Sequence, residues 1–484
     1  MIHAKRSTGG SQARCLLGAL IVASLPLAVY PTAPLHAAVI DAGSTGNRLH
    51  LFKWTPTSHG LPVVEDLASS ATDCSNHQPL AQATSLSAVN DALQGLLTCA
   101  ASLDKNLDLA VVPLTLMATA GMRVLPYRTQ EQVMTWASAV LSRGTFLFDP
   151  SRVQVIPGSQ EAYFGWVSAN YLAHGFQITD PAQTLGMIDM GGSSLEIAYA
   201  VPTSVAGQIK GQPITQFAFP GSTLHVFATS FAEYGSDAFN QHRVTAAGLC
   251  NASPPTPDPC LLVNAMDTSV ATCELHGAAS YDQCRASVDS NLHTDCPTLS
   301  AAETCSLDNT PIPAIPSNLP FELHASYYWA FTDLDITSVT TDAMTTAAQD
   351  VCNKNVAQVL AKYPHLDAPN ANWTCEHLLE ELLVLEHGFD LSQHALNTSQ
   401  AGWAIGAALV SFVLPSSDRV DHTCAKHKYD GGHVAAIAIA CLSIGLLLSV
   451  FGTWYFLSKH RQQYKIEVQL QPDRNGDYIQ LSEE

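Results

Sequence analysis

One short unit occurs twice in this chain, and the repetition limits its possible folds more than any other feature. The first copy is Val39-Ile-Asp-Ala-Gly-Ser-Thr-Gly-Asn-Arg-Leu-His-Leu-Phe52. It reads as an apolar strand, an Asp at the strand end, a Gly/Ser/Thr turn and a second strand. Asp41 stands where a carboxylate can hold a hydrated cation, and Gly43, Ser44, Thr45 and Gly46 let N–H groups and hydroxyls approach an anion closely. Alone, the stretch reads equally well as a plain hairpin. The second copy, Thr184-Leu-Gly-Met-Ile-Asp-Met-Gly-Gly-Ser-Ser-Leu-Glu-Ile-Ala-Tyr199, lies about 150 residues further on. It has the same plan, with Asp189 and the turn Gly191, Gly192, Ser193, Ser194. Two such loops face to face can grip a polyphosphate from both sides, with Asp41 and Asp189 sharing one metal. The strand-to-helix loop GxxxxGK[ST] is absent.

Charge narrows the partners. A formal net charge of −20 over 484 residues disfavours binding to nucleic acid through its phosphates. Any phosphate ligand therefore needs a local cation. The length suits roughly two to three domains.

The termini predict a membrane topology. Lys5, Arg6 and Arg14 precede an apolar run from Cys15 to Tyr30 and then small residues, the pattern of a secretory signal over 1–37 or of an N-terminal anchor. Residues 434–457 carry no Asp, Glu, Lys or Arg and are long enough to cross a bilayer core of about 30 Å. Lys459, Arg461 and Lys465 follow, which places 458–484 in the cytosol. The expectation is a single-pass type I protein whose catalytic region is extracellular or lumenal. Ten cysteines between Cys74 and Cys375, with no close double CxxC pattern, read as disulfides, and sequons at Asn251, Asn372 and Asn397 agree. In the tail, Tyr478-Ile-Gln-Leu481 resembles a clathrin-adaptor sorting signal.

Periodicity supplies the elements between. Helices are expected at 86–103, 130–141, 160–172 (capped by Ser159), 229–242, 376–386 and 402–414, and strands at 63–64, 109–120 and 153–156, with a turn over 220–226 leading into another short strand. Residues 250–320 crowd Pro, Thr, Ser and six cysteines with little periodicity, and read as a loop-rich, disulfide-held insertion. Glu161 falls in the first turn of its helix, where it serves either the helix dipole or as a general base. Tyr327-Tyr-Trp-Ala-Phe331 reads either as core packing or as a platform for a stacked base.

These stretches together resemble the nucleoside triphosphate diphosphohydrolases, or apyrases. The resemblance is carried in order by Asp41–Arg48, Met117-Ala-Thr-Ala-Gly-Met-Arg123, Ile156-Pro-Gly-Ser-Gln-Glu-Ala-Tyr-Phe-Gly-Trp166 and Ile188-Asp-Met-Gly-Gly-Ser-Ser194. Ser326–Leu334 is a looser echo, and Ser230-Phe-Ala-Glu-Tyr-Gly235 and Ala401–Ala408 also resemble segments of the family. It implies an α/β fold of two ribonuclease-H-like, actin- and hexokinase-type lobes with nucleotide in the cleft between them. Lobe I would hold 39–157 plus about 400–425, and lobe II 158–399 with the insertion. By the same resemblance Glu161 activates the attacking water, and Asp41 and Asp189 hold Ca²⁺ or Mg²⁺ through water. Gly43, Ser44, Thr45, Gly46, Arg48, Thr119, Arg123, Gly191, Gly192, Ser193 and Ser194 bind phosphate, and Tyr328 and Trp329 stack on the base. It also implies the pairings Cys74–Cys99 and Cys352–Cys375.

One departure stands out. Glu196 occupies a position where the family carries Gln and the related exopolyphosphatases carry Glu. An acid there either raises the pKa of Glu161 or touches the metal's water shell. Two further readings therefore stand beside nucleotide hydrolysis, an exopolyphosphatase and a catalytically silent nucleotide-binding receptor.

Overall fold

The computed structural model describes residues 35–414, except 58–60, 70–73, 176–179, 208–212, 220–221, 252, 271 and 367–369. The signal segment, the 434–457 span and the Tyr478–Leu481 motif lie outside the described residues. Among those residues no helix is long and apolar enough to cross a membrane.

Two mixed sheets are built on one pattern. In the first, β1 (His36–Ala42), β2 (Asn47–Thr55), β3 (Val63–Asp66), β4 (Ser75–Asn76), β5 (Pro113–Ala118) and β6 (Leu147–Val155) run in the order β3-β2-β1-β5-β6, with β4 beside β2. β1 pairs antiparallel with β2 and parallel with β5. In the second sheet β7 (Gly186–Met190), β8 (Ser194–Val201), β9 (Ile214–Phe219) and β10 (Ser222–Ala232) form the antiparallel part. The hairpins β11 (Met266–Asp267) with β12 (Leu275–His276) and β13 (Glu303–Ser306) with β14 (Thr310–Pro313) come between. Then β15 (Phe321–Ala325) pairs parallel with β7, and β16 (Leu396–Thr398) parallel with β15.

The two repeated units therefore occupy equivalent places. Asp41 lies opposite Arg48 on the hairpin side and Met117 on the parallel side. Asp189 lies opposite Glu196 and His324. The equivalent hairpin partners carry opposite charges.

Helices cover the sheets. The 3.6-residue spacing of apolar side chains becomes α1 (Leu86–Leu103), whose cap Ser85 accepts a bond from the Ala88 N–H. With α2 (Ala120–Arg123) and α3 (Tyr127–Leu141) it completes the core of the first sheet, around Ile40, Leu51, Leu93 and Leu116. α4 (Gly158–His174) begins one residue before Ser159. Pro157 is its N-cap and no side chain caps it, so the cap expected of Ser159 is not made. α4 is buried nearly all round, as an interior helix should be. One side meets Met187, Ala198 and Val226, and Phe164 meets Phe52, Trp403 and Ala407.

Residues 229–232, expected to start a helix, instead end β10, and α5 (Ser236–Ala246) begins only after Gly235. Pairing with β8 from Val201 to Ser194 overrides the local preference. The 250–320 region is more ordered than its composition suggests. It holds α6 (Tyr281–Leu292), and Cys260, Leu261, Leu275, Val288 and Ile312 join the same core as Ile197 and Phe227. Its disulfides are Cys250–Cys273, Cys260–Cys284 and Cys296–Cys305, and the implied Cys74–Cys99 and Cys352–Cys375 are also present.

α7 (Ser326–Asp333), α8 (Thr341–Val351), α9 (Val356–Lys362) and α10 (Thr374–Leu383) finish the second core. α11 (Ala404–Ala408), extended by a wider turn over Leu409–Val413, returns to lie against β1 and α4. The crossing with α4 is tight, since a Cβ on Gly406 would meet the Phe164 carbonyl oxygen at 1.9 Å. Ser168 Oγ donates to Gly402 O at 2.7 Å and accepts from Gly406 N–H at 2.9 Å.

Candidate active site

The two glycine-rich loops face each other across the ends of β1 and β7. The first is closed by Gly43 N–H donating to Gly46 O at 2.8 Å. The second is braced from behind by α5. The N–H of Ser236 donates to Gly191 O, and those of Asp237 and Ala238 to Gly192 O, each at 3.0 Å. These bonds satisfy the first donors of α5, which lack partners within the helix. A trans peptide points its N–H opposite its C=O, so the N–H groups of Gly192 and Ser193 turn away from α5. Glycine suits the close approach here: a Cβ on Gly192 would lie 3.0 Å from both Ser44 Oγ and Thr45 Cγ2.

Asp41 and Asp189 stand one residue before the ends of the two central strands. Among the described residues, Asp41 Oδ1 is buried and accepts no hydrogen bond, and its Oδ2 has only Arg48 Nη1, at 3.9 Å. Burial raises the Asp41 carboxyl above its ordinary value, with Arg48 and His50 opposing. Asp189 is pushed up to about 8 by burial and by the charges of Glu196 and Asp41. An orphaned carboxylate oxygen beside a second, half-buried acid fits a hydrated divalent cation, which takes oxygen ligands and keeps several waters. Among the described residues no three His, Cys, Asp or Glu side chains cluster closely enough to hold a metal directly.

Arg123 joins the rest. Its Nη1 donates to Glu161 Oε2 at 2.7 Å and to Ile156 O at 3.3 Å. Its Nη2 donates to Ser194 Oγ at 3.1 Å and Glu196 Oε1 at 3.2 Å. Glu196 Oε1 also accepts from Ser194 Oγ at 2.6 Å and Ser230 Oγ at 2.7 Å. A serine hydroxyl has one proton, so Ser194 gives it to Glu196 and offers Arg123 a lone pair. The side chains of Arg123 and Ser194, both expected to bind phosphate, are thus engaged with carboxylates.

Glu161, in the first turn of α4, is 9% exposed. Its carboxyl is held well above the ordinary value by burial and by the Glu196 charge, with Arg123 pulling the other way. Burial raises Glu196 too, against its hydrogen bonds from Ser194, Ser230 and Arg123.

Thr119 caps α2 and is buried, its N–H donating to Ala42 O at 3.1 Å. Tyr328 and Trp329 lie on α7, immediately after β15, whose His324 and Ala325 stand beside Asp189 and Met190. Tyr328 is half-buried, Trp329 is 50% exposed, and their rings meet edge-on at 5.2 Å. Two site residues were missed in the sequence. Ser230 reaches Glu196 from a strand read as a helix. Asp237 lies against Gly192, where an added Cβ would come 2.7 Å from its Oδ2.

Comparison with known proteins bears on the family and the fold. Residues 31–418 match the model of the GDA1/CD39 (nucleoside phosphatase) family. The chain is 26% identical over 426 residues to probable apyrase 3 of Arabidopsis thaliana, covering 79% of this chain and 83% of that one. It is 26% identical over 435 residues to a nucleoside-triphosphatase of Pisum sativum, covering 82% and 89%. In fold it resembles a crystal structure of nucleoside triphosphate hydrolases from Neospora caninum, with a TM-score of 0.53 at 13% identity, covering 82% of this chain and 95% of that one.

Proposed function

The chain belongs to the GDA1/CD39 (nucleoside phosphatase) family, and on that premise we propose that it hydrolyses the terminal phosphates of nucleoside tri- and diphosphates. The observation that carries this reading is the contact between the two loops, with Gly192 packed on Ser44 and Thr45 and a half-buried carboxylate behind each. That arrangement suits a polyphosphate held from both sides.

Glu161 takes a proton from the attacking water as its oxygen bonds to the terminal phosphorus and the phosphoanhydride P–O bond breaks. The products are orthophosphate and the shortened nucleotide. Phosphoryl transfer of this kind depends on in-line positioning and charge neutralisation more than on covalent chemistry. The N–H groups of the two loops align the phosphates, and Arg123 holds the carboxylate of Glu161 in place. Asp41 and Asp189, through water, would hold a Ca²⁺ or Mg²⁺ ion that neutralises phosphate charge, with Glu196 at the edge of its hydration shell. Tyr328 and Trp329 offer the base an aromatic face.

The finer topology belongs to the same reading. It comprises two ribonuclease-H-like lobes, an extracellular or lumenal catalytic region, a type I anchor at 434–457 and a sorting motif at Tyr478–Leu481. Glu196 favours one second reading, hydrolysis of inorganic polyphosphate.

The purified chain is assayed for phosphate release from ATP, ADP, GTP, GDP, UDP and inorganic polyphosphate, with Ca²⁺ or Mg²⁺ and with a chelator. Metal-dependent release from at least one nucleotide is expected. Turnover of polyphosphate alone would replace the reading, and no turnover of any substrate would leave a silent receptor.

A further inference from the structure

Ser230 has no part in the chemistry described above, yet its position is closely determined. It comes from the end of β10, and its Oγ donates to Glu196 Oε1 at 2.7 Å. The approach is possible only because residue 158 is glycine. A Cβ there would sit 2.3 Å from Ser230 Cβ and 2.5 Å from its Oγ. Gly158 is also the first residue of α4, three positions before Glu161. β10 and the start of the helix bearing Glu161 therefore touch at this pair.

The hydrogen bonds form a closed set. Glu196 Oε1 takes three donors: Ser194 Oγ, Ser230 Oγ and Arg123 Nη2. Ser194 is tied both to Glu196 and to Arg123. Arg123 alone extends the set to Glu161. Without Ser230, Glu196 keeps Ser194 and draws more strongly on Arg123 Nη2. A guanidinium is a rigid fork, so rotating it toward Glu196 turns Nη1 away from Glu161.

We propose that Ser230 is a positioning residue for the hydrolytic reaction, acting through Glu196 and Arg123 to fix the carboxylate of Glu161. The inference rests on the reading of Glu161 as the base. It assigns Ser230 no contact with substrate, so its loss lowers turnover without weakening binding.

The test is a double-mutant cycle on the full chain, with steady-state kinetics on the best nucleotide and circular dichroism as a check on folding. Ser230→Ala is expected to lower kcat roughly ten- to hundredfold, the scale of one hydrogen bond to a charged group, with KM within about twofold. In a Glu196→Gln background the same change should lower kcat by less than about threefold, because residues acting through one another are not additive. Ser230→Thr, which keeps the hydroxyl, should recover most of the loss. Should the alanine variant fail to fold, Ser230→Cys keeps the volume, weakens the donor and takes its place.

A kcat near wild type in Ser230→Ala, or an equal loss in both backgrounds, overturns the proposal. So does a loss confined to KM. Failure of the underlying reading is distinguishable: there the wild-type chain releases no phosphate from nucleotides, or Glu161→Gln stays active.

Discussion

Gly121 lies directly against Ser44: a Cβ built on the glycine would come within 2.8 Å of the Ser44 Cα. This contact locks the first glycine-rich loop to α2, the helix that carries Arg123. The neighbour is backbone, so it cannot swing aside. Gly121→Ala should displace residues 43–46, lowering kcat/KM at least tenfold and stability by about 1–3 kcal/mol, the usual cost of overpacking. Steady-state kinetics and chemical denaturation check the two halves.

Glu161→Gln keeps the shape of the side chain and removes its basicity. Turnover should fall about 10²–10⁴-fold, the contribution of a positioned general base, with the melting temperature unchanged or raised. Burial and Glu196 hold the Glu161 carboxyl above its ordinary value. The wild-type rate should therefore rise with pH through a range above that of an ordinary carboxylate. Glu196→Gln, which removes the nearby charge, should move that rise to lower pH.

Calcium or magnesium should stabilise the fold. At one hundred times its dissociation constant, a ligand of the native state adds about 2.7 kcal/mol. Protons compete with the cation for Asp189, whose carboxyl lies near 8. Affinity should thus climb between pH 6 and 8, by up to about tenfold per unit. Thermal unfolding with and without chelator reads this directly, and in Asp189→Asn most of the response should vanish.

A second buried set of charges, behind the second loop and α5, predicts how stability depends on pH. Glu376, Glu380 and Glu381 on α10 are nearly wholly buried beside Arg243 and Asp258, and among the described residues both carboxyl oxygens of Glu380 lack partners. Burial lifts Glu380 well above its ordinary value, with Glu376, Glu381 and Asp237 adding to the effect and Arg243 opposing it; Glu376 itself is lifted to about 8. A raised acid keeps in the native state a proton that the unfolded chain has released. Its stabilising share is full below the unfolded value, near 4.5, and is lost as pH rises toward the folded one. Glu380→Gln should therefore gain stability over wild type at pH 8 and much less at pH 5, measured by urea denaturation.

Arg243 is the counter-charge of that set. It donates to Asp258 at 3.1 and 2.8 Å and to Asn240 at 2.9 Å. Arg243→Leu leaves Asp258 buried and uncompensated and should cost about 3–5 kcal/mol. Joint replacement of Arg243 and Asp258 by apolar residues should cost clearly less. Denaturation midpoints distinguish the two.

Much of this site was legible in the sequence because its signals are local. A strand, an Asp and a run of Gly and Ser identify each loop within a dozen residues, and α1 shows itself by spacing alone. Arg48 and Glu196 as strand partners of the two aspartates follow from hairpin register. The relation between Ser230 and Glu196 was not legible, since it depends on β10 pairing with β8, and the segment 229–232 resembles a helix until that pairing is made. The same holds for the central cysteines. Six thiols allow fifteen pairings; the packing of α6 against Cys260 fixes Cys260–Cys284, and the fold of the neighbouring loops fixes the other two.

The return of α11 to β1 and α4 has a consequence for the order in which the molecule is made. Gly406 and Ser168, bonded to one another, are 238 positions apart, and the face of β1 and β2 holding Val39 and Trp54 is closed by Trp403 and Ala407. During synthesis the first sheet and α4 emerge long before their cover, at about 5–20 residues per second. For many seconds that apolar face stays open to water and to other chains. Substitutions in 403–413 should accordingly lower the yield of soluble protein more than they lower the activity of the molecules that finish folding.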